Sequence, residues 1–142
     1  MIEIYIDGAC SGNPGPAAIG AVGYQEAKEL WTISRSIGEA TNNIAEYKAL
    51  IAALKYGKGE GYDQIKIFSD SELLVKQMCG EYRVKDLNLK SLYLEATRLC
   101  KKIENIEIVH IPRDKNKRAN DLAQGGVKKE KNGTQMDRIN SR

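Results

Sequence analysis

Three acidic residues stand at the boundaries of predicted strands and helices, where side chains from distant parts of a chain can meet. Asp7 ends an alternating apolar run, Glu46 falls near the start of a helical pattern, and Asp70 directly follows a short apolar run. Converging carboxylates repel one another unless a cation neutralises them, and hard divalent cations prefer oxygen ligands. The three residues therefore predict a site for a hard divalent cation such as Mg²⁺ or Mn²⁺.

The elements that would position these acids follow the order β-β-β-α-β-α-α-β-α. Isoleucines alternate with other residues over residues 2–7, which predicts a strand, and the glycine-rich segment 8–15 predicts a turn. Two further strands are predicted over residues 17–24 and 30–37. Their short connections imply an antiparallel meander.

Helical spacing of apolar residues begins after residue 41. Asn42 or Asn43 can cap this helix, with Glu46 completing a capping box, and a cluster of glycines from Gly57 onward ends it. The remaining predicted elements are a strand over residues 64–69, a helix opened by Ser71, a longer helix over about 87–102, a strand over 106–111 and a short helix from 117 to about 124.

Length and composition restrict the class of protein. A chain of 142 residues predicts one domain, and no run of 18 apolar residues is present. No secretory leader precedes the first strand, so we expect a cytoplasmic protein with no membrane contact. The three cysteines, Cys10, Cys79 and Cys100, are far apart and odd in number, which favours reduced thiols.

The net charge of +3 is unevenly distributed. Residues 125–142 hold five of the 22 basic residues and two of the 19 acidic ones, so the charges of residues 1–124 cancel. We expect residues 1–124 to form the folded domain and the basic, apolar-poor segment 125–142 to be a disordered tail. Because the body is neutral, a polyanionic partner would have to be bound by local patches.

Four short motifs follow one another along the predicted domain. They are Asp7-Gly8 with Gly12-Asn13-Pro14-Gly15-Pro16, Asn42-Asn43 ahead of Glu46, Ser69-Asp70-Ser71, and Pro112-Arg113 followed by Asn116, Ala119, Asn120, Leu122 and Ala123. Together they resemble the type 1 ribonuclease H family, and the link over residues 80–85 resembles its archaeal-like and reverse-transcriptase-like members. The resemblance implies an α/β, ribonuclease H-like fold. Its sheet would be mixed and five-stranded, with a three-strand antiparallel meander plus parallel strands, and helices on both faces.

The resemblance also implies the metal ligands. Asp7, Glu46 and Asp70 fall on metal-binding catalytic positions, with Asp7 bridging two ions, and the fourth acidic position of the family falls on Asn120. Asparagine keeps an oxygen ligand but loses a negative charge, so we expect weaker binding of one metal and lower activity. An alternative register makes Asp121 the ligand, although a helix would point it about 100° away from Asn120.

Substrate contacts implied by the resemblance cluster around two segments. Asn13, Asn42 and Asn43 resemble minor-groove contacts, which can distinguish ribose by its 2′-hydroxyl. Thr41 resembles part of a DNA-phosphate pocket, and the Gly12 backbone can approach nucleic acid because no side chain blocks it. The substrate-binding positions expected by motif are Gly12, Asn13, Thr41, Asn42, Asn43 and Ser71.

Two residues compete for a supporting catalytic role. His110 matches a loop histidine of bacterial relatives by ungapped counting, but it lies in a strand-like run. Arg113 matches the arginine of the archaeal-like group. We favour Arg113, because a guanidinium stays charged and can bind a phosphate bidentately.

The sequence therefore predicts endonucleolytic cleavage of the RNA strand of RNA–DNA hybrids, with the hybrid as partner and no obligate protein partner. Three alternatives stay open: a hybrid-binding protein whose active site has lapsed through Asn120, another nuclease or integrase on the same fold, and a domain of a reverse transcriptase polyprotein. The start at Met1 favours a free-standing protein over the last of these.

Overall fold

The computed structural model describes residues 1–131 and 136–138, with side chains for residues 1–128. Its strands are β1 (Ile2–Cys10), β2 (Gly15–Gln25), β3 (Lys28–Ala40), β4 (Gln64–Ser69), β5 (Asn105–His110) and β6 (Met136–Arg138). Its helices are α1 (Asn42–Gly59), α2 (Glu72–Met78), α3 (Leu87–Lys101) and α4 (Lys117–Lys131), with a 3₁₀ turn at Arg113–Lys115. Within these described ranges, no helix is both long enough and apolar enough to cross a membrane.

The five predicted strands form one mixed sheet in the order β3-β2-β1-β4-β5, which confirms the predicted ribonuclease H-like fold. β1, β2 and β3 pair antiparallel as a meander, while β4 runs parallel to β1 and β5 runs parallel to β4. The short strand β6 adds a sixth member at the β3 edge. Ile6 pairs with Ser69, so the residues that follow, Asp7 and Asp70, lie side by side.

The alternation of β1 divides its side chains between two layers. Ile2, Ile4 and Ile6 belong to the main core, which also includes Leu50 and Leu54 of α1. Ala9 of β1 packs on the opposite face against the α4 residues Ala123 and Val127. The sheet is thus covered on both faces, and Asp7 emerges where α1, α4 and the sheet meet.

Two close approaches between helix and sheet depend on glycine. A Cβ at Gly8 would lie 2.5 Å from the backbone nitrogen of Glu46, and a Cβ at Gly20 would lie 2.4 Å from the carbonyl oxygen of Ala119. These distances are shorter than van der Waals contact. The two glycines therefore let α1 and α4 come close enough to bring Glu46 and the start of α4 to the edge that carries Asp7.

The structure corrects the predicted turn and the predicted helix cap near the site. β1 continues through Gly8 to Cys10, paired with β2, so the turn begins after Cys10 instead of at Gly8. The cap of α1 is Thr41, whose Oγ1 accepts a hydrogen bond from the backbone N–H of Ile44 at 3.2 Å. Asn42 and Asn43 are therefore the first helical residues, not caps, and remain exposed.

The predicted boundary at residue 124 was also wrong for the final helix. α4 continues through Gly125 and Gly126 to Lys131, and Val127 is buried against Ala18 and Ala123. The disorder expected from residue 125 is therefore contradicted for residues 125–131 and for strand β6. Residues 132–135 and 139–142 of the predicted tail lie outside the described residues.

Candidate active site

Three carboxylates converge near the C-terminal ends of the neighbouring strands β1 and β4, between α1 and α4. Asp7 comes from β1, Glu46 from the second turn of α1, and Asp70 from the residue after β4. One ligand oxygen of each lies within 4.8 Å of those of the other two. We call these residues the acid cluster. No other group of three or more His, Cys, Asp or Glu side chains within residues 1–128 is arranged to hold a metal ion.

The acid cluster is electrostatically unfavourable without a cation. Asp7 is only 2% exposed, and burial together with the charge of Asp70 raises its pKa from 3.8 to about 6 against an opposing hydrogen bond from Asn120. Burial also raises the pKa of Glu46 well above its ordinary value, and the charge of Asp7 adds to this rise. The cluster therefore favours either protons or a positive ion over three free negative charges.

Backbone and side-chain amides hold the three acids in place. The backbone N–H of Gly8 donates a hydrogen bond to Oε1 of Glu46. Asn116 Nδ2 donates to Asp70 Oδ2 at 2.9 Å and to the carbonyl oxygen of Ile6 at 2.9 Å. Asn120 Nδ2 donates to Asp7 Oδ2 at 2.8 Å. Every carboxylate is thus fixed by at least one neutral donor.

Asn120 lies at the acid cluster and Asp121 does not. The Asp121 side chain is exposed, and its charge acts on Arg118, on the solvent side of α4. Asn116 and Asn120 are separated by one helical turn, which places both amides toward the cluster. The geometry therefore agrees with the register that assigns Asn120, not Asp121, to the fourth position.

A second group of polar residues lies beside the cluster, on the β1–β2 loop and the start of α1. Asn13 Oδ1 accepts a hydrogen bond from the backbone N–H of Asn42 at 3.0 Å. The Cys10 thiol can donate to Asn42 Oδ1 at 3.1 Å or to the carbonyl oxygen of Gly12. We call Cys10, Asn13 and Asn42 the amide network. Because the amide oxygens accept bonds within the network, their Nδ2 groups are left to donate outward.

The other predicted site residues lie around these two groups. Gly12, Asn13, Asn42 and Asn43 are exposed. Ser71 caps α2, with its hydroxyl accepting a hydrogen bond from the N–H of Leu74 at 3.2 Å.

Arg113 and His110 both lie on the segment that leads from β5 to α4. Arg113 is exposed in the 3₁₀ turn, and its charge is close enough to act weakly on Asp7. His110 is the exposed last residue of β5, paired with Ser69. The expected strand-end position of His110 is thus confirmed, whereas the roles of both residues stay predictions.

Sequence reasoning missed three contributors to the site. Asn116 was noted only as a motif residue, although its spacing of four from Asn120 already indicated a shared helix face. Cys10 was treated only as a reduced thiol, and the amide of Gly8 was not considered. Nothing in the sequence marks a backbone N–H as a carboxylate donor, because that role depends on how closely α1 approaches β1.

Known proteins resemble this chain over most of its length. Residues 5–126 match the family model described as reverse transcriptase-like. Ribonuclease HI of Halobacterium salinarum is 41% identical over 123 residues, which are 86% of this chain and 62% of that protein. A bifunctional protein of Mycobacterium tuberculosis is 39% identical over 124 residues, which are 86% of this chain and 34% of that protein.

Solved structures show the same likeness. A crystal structure of the Halobacterium salinarum enzyme has a TM-score of 0.87 at 39% identity, covering 89% of this chain and 97% of that one. A type 1 ribonuclease H from compost, crystallised with an RNA/DNA hybrid, has a TM-score of 0.87 at 42% identity, covering 92% and 99%.

A mixed sheet of this order with an acid cluster at the junction of β1, β4 and α1 defines the ribonuclease H-like class of folds. The order of the motifs, the family match and the likeness to enzymes at about two-fifths identity show which family within this class the chain belongs to. The chain belongs to the ribonuclease HI family, as the resemblance of its motifs indicated.

Proposed function

We propose that this protein hydrolyses the RNA strand of RNA–DNA hybrids endonucleolytically, with divalent cations held by the acid cluster. The observation that carries the proposal is the convergence of Asp7, Glu46 and Asp70 within 4.8 Å at the edge of a ribonuclease H-like sheet. The hybrid bound to the compost enzyme supports the choice of substrate by likeness.

The donor set fits Mg²⁺ or Mn²⁺. All three side chains offer carboxylate oxygens, which hard cations prefer. The raised pKa values of Asp7 and Glu46 indicate that the cluster lacks positive charge. Bound there, two such ions would activate water and stabilise charge on the reacting phosphate and the leaving oxygen.

The residues of the chain supply positioning. Gly8 orients Glu46, and Asn116 orients Asp70, so the ligand oxygens are held before a substrate arrives. Arg113 is assigned to the scissile phosphate, because it is an exposed cation on the turn that leads into α4. His110 is the alternative for this supporting role.

The amide network and the start of α1 are assigned to substrate recognition. Asn13, Asn42 and Asn43 present donors at the surface beside the cluster, and a ribose 2′-hydroxyl can accept such a bond. Thr41 is assigned to a phosphate of the DNA strand, with Gly12 and Ser71 at the periphery of the contact.

Asn120 is proposed to attenuate the activity without abolishing it. Its Nδ2 donates to Asp7 Oδ2, so an oxygen of the Asp7 carboxylate is engaged by a neutral group where the family has an acid. The same contact favours the rival function, a protein that binds hybrids and no longer cleaves them. The attenuated nuclease and the binding protein differ in whether the RNA strand is cleaved.

The deciding experiment incubates an end-labelled RNA–DNA hybrid with the protein in Mg²⁺ and, separately, in Mn²⁺. We expect internal cleavage of the RNA strand, faster in Mn²⁺ because it tolerates a poorer set of ligands. Asp7→Asn serves as the contamination control and should leave the RNA intact. Duplex DNA and duplex RNA should survive in both metals.

Intact RNA in both metals, together with retained hybrid binding, would replace this proposal with the lapsed binding protein. Cleavage of duplex DNA at a comparable rate would instead indicate another nuclease on the same fold. A circular dichroism spectrum of the Asp7→Asn variant that matches the parent ensures that its inactivity is chemical.

A further inference from the structure

A groove separate from the acid cluster runs between β3, α1 and α3. It has a volume of about 240 Å³, with Ile19 and Ile37 of the sheet and Ile51 of α1 among its apolar residues. Among the described side chains, its charged lining consists of Arg35, Lys48 and Lys55 together with one acid, Glu95. Residues 1–124 carry no net charge, so this groove is a local excess of positive charge.

Glu95 is engaged within the groove. Its carboxylate lies 3.1 Å from the ammonium of Lys55, and the two side chains are 31% and 61% exposed. Lys48 has no acid within ion-pair distance among the described side chains. It therefore remains the cation best placed to receive an anionic ligand.

The basic residues form a stripe that begins at the recognition end of α1. Lys48 and Lys55 follow Thr41 at intervals of seven residues, which rotate by only about 20° from a whole number of turns. A rise of 1.5 Å per residue puts them about 10 and about 21 Å along the helix. The stripe thus leads from the proposed DNA-phosphate contact away from the acid cluster.

We propose that this groove binds single-stranded DNA that continues beyond the hybrid. The inference rests on the proposed function, which places RNA at the acid cluster, so the strand across the minor groove is DNA. A cleft of this size between a strand and two helices admits one strand and excludes a duplex. A positively charged groove that follows the phosphates is one of the two usual elements of single-strand binding, and the apolar residues here give the bases a surface to lie against.

Within the part of the chain whose side chains are described, no aromatic residue lines the groove, and this determines how a strand would be bound. Without a ring on which a base can stack, discrimination between sequences is weak and the phosphates dominate. The contribution should therefore depend strongly on salt. It would favour hybrids that border single-stranded DNA over hybrids with blunt ends.

The test measures binding by fluorescence anisotropy in an Asp7→Asn background of the full chain, which does not cleave. The ligands are a blunt hybrid, the same hybrid with a single-stranded DNA extension at either end, the same hybrid with an RNA extension, and single-stranded DNA alone. We expect a DNA extension of one polarity to raise the affinity severalfold at low salt. Lys48→Ala should remove this gain and lower the salt slope by about 0.7 for the lost contact.

Matched variants separate the groove from general effects of charge. Lys58→Ala removes an exposed cation from the same helix outside the groove and should keep the gain. Lys48→Arg should also keep it. Affinity for the blunt hybrid should be the same in all three variants.

The proposed binding of DNA in the groove would be contradicted if the DNA extension raised the affinity equally in Lys48→Ala and in the parent. It would also be contradicted if neither DNA extension raised the affinity. An equal gain from RNA would overturn its assignment to DNA. Failure of every form to bind the blunt hybrid would instead refute the proposed function. Single-stranded DNA alone would still decide on the groove, because its binding should weaken in Lys48→Ala and not in Lys58→Ala.

Discussion

The acid cluster and the amide network lie three residues apart on β1, yet their electrostatic conditions are opposite. At the cluster, burial and like charges raise the pKa values of Asp7 and Glu46. In the network, the amide oxygens of Asn13 and Asn42 both accept hydrogen bonds from neighbouring donors. The acid cluster needs protons or a cation to balance its charge, whereas the hydrogen bonds of the amide network are satisfied by the chain itself.

This difference indicates how the work of the site is divided. Burying like charges lowers the free energy of unfolding. A cation that binds only to the folded cluster raises the free energy of unfolding again. Neutral amides that already bond to one another cost little, so they can present donors to a substrate in a fixed orientation. Chemistry is therefore assigned to the unstable region and recognition to the stable one.

The largest expected effect comes from neutralising one member of the cluster. Glu46→Gln keeps the size of the side chain but removes a charged metal ligand, and we expect the rate of RNA cleavage to fall roughly a thousandfold. Single-turnover cleavage of a labelled hybrid measures it. Glu72→Gln is the matched control, because Glu72 is exposed and lies two residues from Asp70. A Glu46→Gln variant with half the parental rate would show that the cluster does not drive the chemistry.

The stability of the metal-free protein should depend on pH through Asp7. Its pKa is about 6 in the folded protein and 3.8 as the reference value, so the folded state holds the proton more tightly. The contribution of Asp7 to the free energy of unfolding is then most favourable at low pH, and it is lost as the pH rises through about 6. The loss is at most about 3 kcal/mol for this shift. Denaturant unfolding in a chelator, at several pH values across this window, measures it.

Asp7→Asn should flatten this pH dependence and stabilise the metal-free protein near neutral pH. Glu46 acts in the same direction, so some dependence should remain in the variant. A parent protein whose stability rises steadily across the window would contradict the unfavourable character of the cluster. Adding Mg²⁺ at neutral pH should restore stability to the parent more than to Asp7→Asn.

A smaller change should follow from restoring the fourth acid. Asn120→Asp replaces a neutral donor to Asp7 with a carboxylate, and we expect the Mg²⁺ concentration for half-maximal cleavage to fall about tenfold. Metal titrations of cleavage measure it. The neighbouring variant Asp121→Asn should leave the titration unchanged, because Asp121 is exposed and points away from the cluster. Equal shifts in both variants would mean that only general charge matters.

The sequence predicted the sheet and the three acids because both have strong local signals. Alternating isoleucines define β1 and lead into Asp7, Glu46 lies near the start of the helical pattern, and Asp70 directly follows a short apolar run. Prediction from the sequence failed at two glycines, because glycine can either interrupt a regular element or allow two elements to pack closely. Gly8 was expected to begin a turn, and Gly126 was expected to belong to a disordered tail. A Cβ at Gly126 would lie 2.6 Å from the Cβ of Ala18, so close packing of α4 on the sheet requires glycine there.

The amide network could not be predicted for a related reason. The cap of α1 was assigned to Asn42 or Asn43, since asparagine is a good cap, but Thr41 takes that role. This shift of one position frees Asn42 to bond with the β1–β2 loop. Capping preferences are similar for threonine and asparagine, so the choice between them is made by tertiary contacts that the sequence does not display.

The smallest expected effect concerns the thiol that supports the network. Burial raises the pKa of Cys10, so the thiol stays protonated and can donate to Asn42 Oδ1. Cys10→Ala removes that donor and frees the amide to rotate, whereas Cys10→Ser keeps a donor. Because a single hydrogen bond contributes about 1 kcal/mol, we expect Cys10→Ala to lower the preference for hybrid over duplex DNA by about fivefold.

Competition binding with labelled hybrid and unlabelled duplex DNA measures this preference, and Cys10→Ser should retain most of it. Cys79→Ala, at an exposed thiol on the α2 cap, should change nothing. Equal losses in Cys10→Ala and Cys10→Ser would mean that the sulfur acts through size and not through its proton. The network would then resemble the acid cluster in needing an external partner, and the contrast between the two regions would fail.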